Sequence, residues 1–362
     1  MSIISPQRKK GIESHQSIEP INDNEGRTWF DNTVDNNKFN VHNGEVWKES
    51  RYTLTSGLGV HFAYTIGGHD STKAVSIVDR IEFPFNFGTA SHVGNLSGSR
   101  YVQGGCNSSN YGYSMGGHNG SNRLSNIDRI TFPFDSGTGS NVGTLSCVHS
   151  VSAACNSSTY GYFMGGVDEN GNNLSTIDRI TFPFDSGTGT HTGNLSGTIR
   201  RTGGCNCSIY GYCMGGREGG LFVTTISRFE FPFDSGITTH VGNLSKTREY
   251  GVGCNSSLYG YSMGGYDGAN YYSIIDRIEF PFDSGTASHV GNLSGNLWYS
   301  IGCNSSEHGY CTGGSNVSSV LSTIDRIIFP FDSGTASHVG NLSATRYHVG
   351  GCDGTDFVSL FN

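Results

Sequence analysis

The chain has 362 residues, of which 54 are glycines and 14% are charged, and its net charge is −8 at pH 7. Abundant glycine with sparse charge favours many tight turns between short strands over amphipathic helices, which predicts an all-β protein. The chain is acidic and has no cluster of basic residues. This argues against a phosphate-binding surface, because nucleic-acid affinity depends mainly on Lys and Arg. We expect no nucleic-acid partner.

The chain opens with a polar segment. Met1 to Lys10 have no apolar run after their basic residues. No later stretch approaches the roughly twenty apolar residues of a membrane span. We expect residues 1–25 to be a flexible arm, and the chain to be made in a cytosol without membrane insertion.

Residues 26–50 combine aromatic side chains with the turn pair Asn43-Gly44, which predicts a β-hairpin. Their Trp-Phe, Lys-Phe and Asn-Gly-x-x-Trp pattern resembles a short hairpin in tail-fibre and other appendage proteins of tailed bacteriophages. There it often precedes a repetitive receptor-binding region. An ordinary hairpin with cross-strand aromatic packing would have the same residues.

From Arg51 onwards the sequence repeats every 49 or 50 residues. A Gly-Gly pair recurs in step with the phrase Ile-Asp-Arg-Ile-x-Phe-Pro-Phe. A long period with strand-like content predicts a β-propeller. The pair begins at Gly67, Gly116, Gly165, Gly215, Gly264 and Gly313.

Each repeat predicts four strands. In the repeat that starts at Arg100, strand one covers 101–106, where two glycines permit close approach at a crowded axis. Strand two covers 111–115 and ends at the double glycine. Strand three shows period-two alternation of Ile130 and Phe132, and the following proline should break its pairing because proline cannot donate to a ladder. A short outer strand follows from 141 to 146.

The double glycine after strand two, preceded by Tyr113, resembles the kelch repeat over residues 51–362 and implies a kelch-like β-propeller. The aromatic pair that kelch repeats place after the glycines is replaced here by the Phe-Pro-Phe phrase. Strands one and two occur seven times, ending with a degenerate copy at 353–361, whereas strands three and four occur six times. We predict seven blades, with residues 26–50 completing a composite closing blade. The alternative is six blades plus a separate N-terminal hairpin.

Six of the ten cysteines occupy one repeat position. Equivalent positions in different blades point the same way, whereas a disulfide needs Cα atoms within about 7 Å and converging Cβ vectors. We predict free, buried thiols near the ring axis. They are Cys106, Cys155, Cys205, Cys254, Cys303 and Cys352.

The repeated polar residues do not predict a catalytic site. Catalysis needs unlike groups that converge on one point, whereas copies of one residue on a ring diverge. Asp128, Arg129 and their equivalents should cap strand ends or pair between blades, and His92 and its equivalents should be structural. We predict no enzyme activity, no cofactor and no metal.

The candidate ligand-binding residues lie on one predicted face. Strands alternate in direction, so the loops after strands two and four and the residues leading into strand one open on the same side. These segments vary between repeats, whereas the opposite turns hardly change. Aromatic and Arg side chains dominate binding hot spots. Loop sequences also vary, however, wherever packing does not constrain them. The candidates are Arg217, Phe222, Tyr266, Tyr271, Tyr272, Trp298 and Tyr299.

These observations predict a bacteriophage virion appendage protein, a tail fibre or similar, that is assembled in the host bacterial cytoplasm. Its propeller would bind a host-surface glycan or protein, and its N-terminal arm would contact other virion proteins. A homo-oligomer is compatible with this role. The alternatives are a structural virion protein without receptor binding, a non-viral kelch-like protein-interaction module and a carbohydrate-active enzyme.

Overall fold

The computed structural model describes residues 28–31, 38–42, 47–50 and 61–354, and every regular element in these ranges is a β-strand. The predicted all-β class is confirmed. No helix in the described part of the chain could cross a membrane. The predicted arm at 1–25, the Asn43-Gly44 turn and the segments 51–60 and 355–361 lie outside the described residues.

The chain divides into two compact units, Met1–Val60 and His61–Asn362. In the first unit, three strands form an antiparallel sheet with Thr28 opposite Val41 and Phe39 opposite Ser50. Among the described strands these three pair only with one another. They are β1 (Thr28–Asp31), β2 (Lys38–His42) and β3 (Trp47–Ser50).

The second unit contains six four-stranded antiparallel sheets, which we number in chain order. Sheet 1 holds β4 (Phe62–Ile66), β5 (Ile77–Glu82) and β6 (Ser91–Asn95). Sheet 2 holds β7 (Gly104–Asn107), β8 (Tyr111–Met115), β9 (Asn126–Thr131) and β10 (Ser140–Thr144). Sheet 3 holds β11 (Ala153–Asn156), β12 (Tyr160–Met164), β13 (Thr176–Thr181) and β14 (Thr190–Asn194).

The later repeats follow the same plan. The short strands β15 (Ile199–Arg200), β18 (Arg217–Glu218) and β19 (Leu221–Phe222) pair with one another. Sheet 4 holds β16 (Gly203–Asn206), β17 (Tyr210–Met214), β20 (Thr225–Glu230) and β21 (Thr239–Asn243). Sheet 5 holds β22 (Val252–Asn255), β23 (Tyr259–Met263), β24 (Ile274–Glu279) and β25 (Ser288–Asn292). Sheet 6 holds β26 (Ile301–Asn304), β27 (His308–Thr312), β28 (Thr323–Ile328) and β29 (Ser337–Asn341).

The last strand, β30 (Gly350–Gly354), completes sheet 1 by pairing with β4, with Gly350 opposite Ile66. We predicted seven blades with residues 26–50 closing the ring; among the described strands, β30 supplies the inner strand of sheet 1, and the number of blades stays a prediction. The C-terminal copy of strand one shares its Gly-Gly-Cys sequence with the inner strands of sheets 2 and 4 and occupies the inner edge of the first repeat. The strands within 26–50 pair with each other instead, and the alternative of six sheets agrees with the pairing.

Within a repeat, the predicted strand two at 111–115 is confirmed. Strand one starts later than predicted, at Gly104, and strand three ends at Thr131, before the Phe-Pro-Phe phrase. The predicted break in pairing at the proline is confirmed. Gly105 of the inner strand of sheet 2 is required, because a Cβ there would overlap the carbonyl oxygen of Gly351 in the neighbouring sheet.

The Phe-Pro-Phe phrase joins each sheet to the one before it. Proline ends strand three, which leaves the N–H of the next phenylalanine without a ladder partner. In sheet 3 this N–H, from Phe184, donates to the hydroxyl of the fully buried Tyr113 in sheet 2 at 3.0 Å. The same bond recurs between all consecutive sheets, and that from Phe85 of sheet 1 to Tyr310 of sheet 6, at 3.1 Å, closes the succession.

Two further sets of contacts close the same ring of sheets. Parallel bridges join each outer strand to the next sheet, and the bridge between Thr89 and Asn341 joins sheet 6 to sheet 1. At the ends of the inner strands, each backbone N–H donates to a side-chain Oδ1 of the next sheet over 3.1 to 3.4 Å. This amide ring consists of Asn107, Asn156, Asn206, Asn255, Asn304 and Asp353. The second unit is therefore a propeller-like, cyclic array of six sheets.

The repeated Asp and Arg residues are structural, as predicted. Arg129 pairs with Asp185 in the turn of the next sheet, and four further sheets have the equivalent pair. The repeated Asp of strand three binds the segment that leads into the inner strand. In sheet 5, Asp276 lies 3.1 Å from the Arg248 guanidinium, and both side chains are fully buried. Three of the repeated histidines, His92, His240 and His289, bond a glycine carbonyl of their own strand at 2.8 to 2.9 Å.

All ten cysteines are free, and the six at the repeated position are buried, which confirms that prediction. Each thiol packs between sheets. The Sγ of Cys254, for example, lies over Gly309 on strand two of the next sheet, where a Cβ would approach it to 2.7 Å. Burial raises the pKa of Cys254 well above its usual range, so the thiol stays protonated and unreactive.

Candidate ligand-binding face

The two variable segments of each repeat lie side by side. The residue after the double glycine forms an antiparallel bridge with a residue leading into the inner strand, so both segments lie on one face of the array, as predicted. In sheet 6 the bridge joins Trp298 and Ser315, with N–H···O distances of 2.9 and 3.1 Å. The equivalent pairs are Tyr347–His69, Tyr101–His118, Ser150–Val167, Arg200–Arg217 and Glu249–Tyr266.

The residue that follows each bridge has a positive φ, between 53° and 63°. For non-glycine residues, and above all for the β-branched Val102 and Val151, this conformation is strained. Backbone N–H groups of five of these six residues donate to the preceding member at 2.7 to 2.9 Å, so the residues form a hydrogen-bonded collar. The axial collar consists of Val102, Val151, Arg201, Tyr250, Tyr299 and His348.

The axial collar borders a cavity of about 120 Å³ lined by the inner strands of all six sheets. Half of the collar is aromatic, with centroids of Tyr250 and Tyr299 4.0 Å apart and those of Tyr250 and His348 5.4 Å apart. Arg201 lies 4.8 Å over the Tyr250 ring and pairs with Glu249 at 2.8 Å. The collar is thus held by edge-on and tilted aromatic contacts, by one cation–π contact and by one ion pair.

Burial keeps the aromatic part of the collar uncharged near neutral pH. It raises the pKa of Tyr299 to about 12 and that of Tyr250 well above its usual range. Burial, followed by the nearby Arg201, holds the pKa of His348 well below its usual range. Both ring nitrogens of His348 are buried and have no hydrogen-bond partner among the described residues.

The structure brings most of the predicted ligand-binding residues together. Trp298 is central: its ring stacks on Tyr299 at 3.7 Å and lies 5.0 Å from Tyr271 and 5.3 Å from Tyr266. Phe222 continues the contact, 5.9 Å from Tyr266. All five side chains are half-buried, so part of each ring faces solvent.

Two predicted residues take part less directly. The Arg217 guanidinium lies 5.0 Å over the ring of Phe222, which places it at the end of the cluster. The hydroxyl of Tyr272 donates to Asp267 at 2.5 Å instead of stacking with the others. That bond, together with burial, raises the pKa of Tyr272. Tyr272 therefore fixes the loop of sheet 5.

Sequence reasoning missed the continuation of this cluster across sheets 6, 1 and 2. Tyr299 lies 5.7 Å from Tyr347, which lies 5.3 Å from His69, and His69 lies 5.1 Å from Tyr101. The signal was present in the repeat column that contains Trp298, because the same column holds Tyr101 and Tyr347. The ring of Tyr101 in turn lies 5.2 Å from that of His118. We call the whole set the aromatic band: Phe222, Tyr266, Tyr271, Trp298, Tyr299, Tyr347, His69, Tyr101 and His118.

The aromatic band borders an open cleft of about 620 Å³. Tyr271, Trp298, Tyr299 and Tyr347 line one part, and the loop 315–320 of sheet 6 lines the other. A cleft with aromatic walls and a few polar groups is the usual form of a small-molecule site. In the described part of the chain, no group of three or more His, Cys, Asp or Glu side chains is placed to hold a metal ion.

No protein-family model matches the chain, and no curated protein matches it either.

Proposed function

We propose that this chain is a virion appendage protein of a tailed bacteriophage, a tail fibre or similar. In this proposal its six sheets are the blades of a kelch-like propeller that binds a host-surface glycan or protein. The hairpin pattern at 26–50 and the glycine-rich repeats that follow support the phage assignment. The segment 1–25 would attach the protein to other virion proteins.

One observation supports the binding role most directly. The departures from the repeat are concentrated on one face, and there they form a connected band of half-buried aromatic rings beside an open cleft. Aromatic side chains supply contact area at a small cost in side-chain entropy, so such a band suits recognition of a glycan or protein surface.

A test of this role is adsorption of the purified full chain to bacteria that the parent virus infects. Trp298→Ala should weaken adsorption by about 2 kcal/mol, which is about 30-fold, because it removes the ring that joins Tyr271 to Tyr299. Ser136→Ala, in an exposed turn of sheet 2, should leave adsorption unchanged. A thermal melt should accompany each variant, and Tyr271→Ala provides a second truncation in the same cluster.

If all the rings of the aromatic band can be truncated without loss of adsorption, the receptor-binding role is wrong. Electron microscopy of antibody-labelled virions would test the appendage assignment separately. Finding the band covered by another virion protein would favour the structural alternative.

A structural or protein-interaction role has its own supporting observation. Ile209 and Leu258 lie in neighbouring sheets, in the turns between the first two strands, and are 52% and 61% exposed. They offer apolar contacts away from the aromatic band. Ile209→Ser combined with Leu258→Ser should impair assembly into particles if that role is correct, and should leave adsorption of the free chain intact.

A further inference from the structure

The cleft beside Trp298 differs from the corresponding part of the other sheets in charge. The loop after the double glycine contains Asp70 and Lys73 in sheet 1, Arg123 in sheet 2 and charged pairs or single acids in sheets 3 to 5. In sheet 6 it is Ser315-Asn316-Val317-Ser318-Ser319-Val320, without a charged residue. The residues that line the cleft likewise include no Lys, Arg, Asp, Glu or His among those described.

The polar groups of this loop are held in place. The Oδ1 of Asn316 accepts hydrogen bonds from the N–H groups of Ser318 and Ser319 at 2.9 and 2.8 Å. The hydroxyl of Ser315 donates to the carbonyl oxygen of Ser319 at 3.0 Å, and the bridge to Trp298 fixes the base of the loop. The exposed hydroxyl of Ser318 and the amide of Asn316 therefore line the same cleft as the aromatic rings.

The aromatic residues that line the cleft complement the neutral polar groups of the loop. Trp298 meets Tyr271 edge-on at 69° and stacks on Tyr299 at 28°, and all three half-buried rings line the cleft. Burial, followed by the nearby Tyr101 and Asp70, raises the pKa of Tyr347. Its hydroxyl, like that of any tyrosine at neutral pH, is protonated and can donate. Hydroxyl and amide groups can both donate and accept hydrogen bonds.

From this combination we infer that the cleft formed by Tyr271, Trp298, Tyr299, Tyr347 and the loop 315–320 is a binding site for an uncharged saccharide. The inference rests on the proposed receptor-binding role and specifies its ligand. The apolar C–H face of a sugar ring packs against an aromatic face, and its hydroxyls match neutral donors and acceptors. A carboxylated sugar would lose hydration without gaining a counter-charge from the residues that line the cleft.

The test measures binding of the full chain to defined probes by calorimetry. The neutral probes are maltotriose, cellotriose and tri-N-acetylchitotriose, and the acidic probes are trigalacturonate and sialyllactose. At least one neutral probe should bind, and at least tenfold more tightly than either acidic probe. Val317→Asp, at a position 69% exposed on the rim, should weaken that binding at least tenfold. The matched control Leu258→Asp, at a position 61% exposed in a distant turn, should change it less than twofold.

Each of the other outcomes contradicts a different part of the inference or the proposed function. Equal or tighter binding of an acidic probe refutes the selection for uncharged sugars. Unchanged affinity in both Val317→Asp and Tyr271→Ala refutes this location. If no saccharide binds but the full chain adsorbs to host cells in a Trp298-dependent manner, the saccharide inference fails and the proposed function stands. If saccharide binding is present and adsorption is absent, the proposed function fails instead.

Discussion

Cys254 shows how one repeated residue fills the space between sheets. Its thiol is 2% exposed and lies over Gly309, so the small side chain on one sheet and the absent side chain on the next fit together. Sulfur here acts as a compact apolar group. A disulfide would need the cysteine side chains of different sheets to converge, and they face successive neighbours instead.

We therefore expect Cys254→Ala to lower the free energy of unfolding by about 1 kcal/mol, because it leaves a small cavity. Urea denaturation of the two proteins would measure this. Reducing agent should leave the wild-type unfolding curve unchanged, and mass spectrometry of unreduced protein should find ten thiols. A disulfide in the native protein would contradict the prediction.

Carboxylates of the same type differ in importance according to their burial. Asp276 is fully buried and accepts bonds from the N–H and hydroxyl of Ser245 at 2.8 and 2.7 Å, as well as facing Arg248. Asp283 pairs with Arg228, but its side chain is 67% exposed. A buried carboxylate cannot be removed without leaving its partner charge desolvated, whereas water replaces an exposed one.

Asp276→Ala should accordingly lower the free energy of unfolding by about 3 to 5 kcal/mol. Asp283→Ala, the matched change on the surface, should cost less than about 1 kcal/mol. Chemical denaturation of both variants measures the contrast. Similar losses in the two variants would show that burial does not separate these pairs.

At the scale of the element, the ends of the inner strands form the amide ring, in which five members are Asn and the sixth is Asp353. Burial raises the pKa of Asp353 to about 8, against the lowering effect of the N–H bond from Asn304. The folded protein therefore favours the protonated, amide-like form. Below the pKa of the unfolded chain, near 4, both states are protonated and the full stability is present.

As the pH rises from about 4 to about 8, the unfolded carboxyl ionises while the folded one keeps its proton, so Asp353 lowers stability progressively over this range. Asp353→Asn should remove this dependence, and its gain in melting temperature should be larger at pH 8 than at pH 5. Asn255→Asp, which places a carboxyl in sheet 5, should add a dependence of the same sign. A gain independent of pH would refute a protonated Asp353.

At the scale of the whole molecule, one strand pairing between distant parts of the sequence completes sheet 1, beside the other contacts that join sheets 6 and 1. β30 supplies the inner strand of sheet 1, and without it β4 would present an open edge inside the ring. Open edges template association with other chains. Closure therefore stabilises the array and also protects it from aggregation.

Removing residues 350–362 should abolish cooperative thermal unfolding or cause aggregation, because the pairing of β30 with β4 is lost. Removing residues 1–50 leaves that pairing intact and should lower the melting temperature much less. Calorimetry with light scattering distinguishes the two truncations. A chain ending at residue 349 that melts like the full chain would contradict closure by β30.

The sequence by itself determined the repeat, the all-β class, the position of strand two and the free thiols. These follow from local chemistry: the double glycine ends a strand, proline ends another, and identical positions on a ring cannot converge. It also located the variable face, because alternating strands bring the loop before Trp298 and the loop after Gly314 to one side.

The tertiary structure decided which strands close the ring and which side chains meet. Counting copies predicted closure by residues 26–50, but an open edge pairs with whichever strand reaches it, and Gly350–Gly354 reaches β4. The aromatic band also crosses sheets that are far apart in sequence, so Tyr347 and His69 come together only through ring closure. Contacts between repeats depend on the angle between neighbouring sheets, and no single repeat encodes that angle.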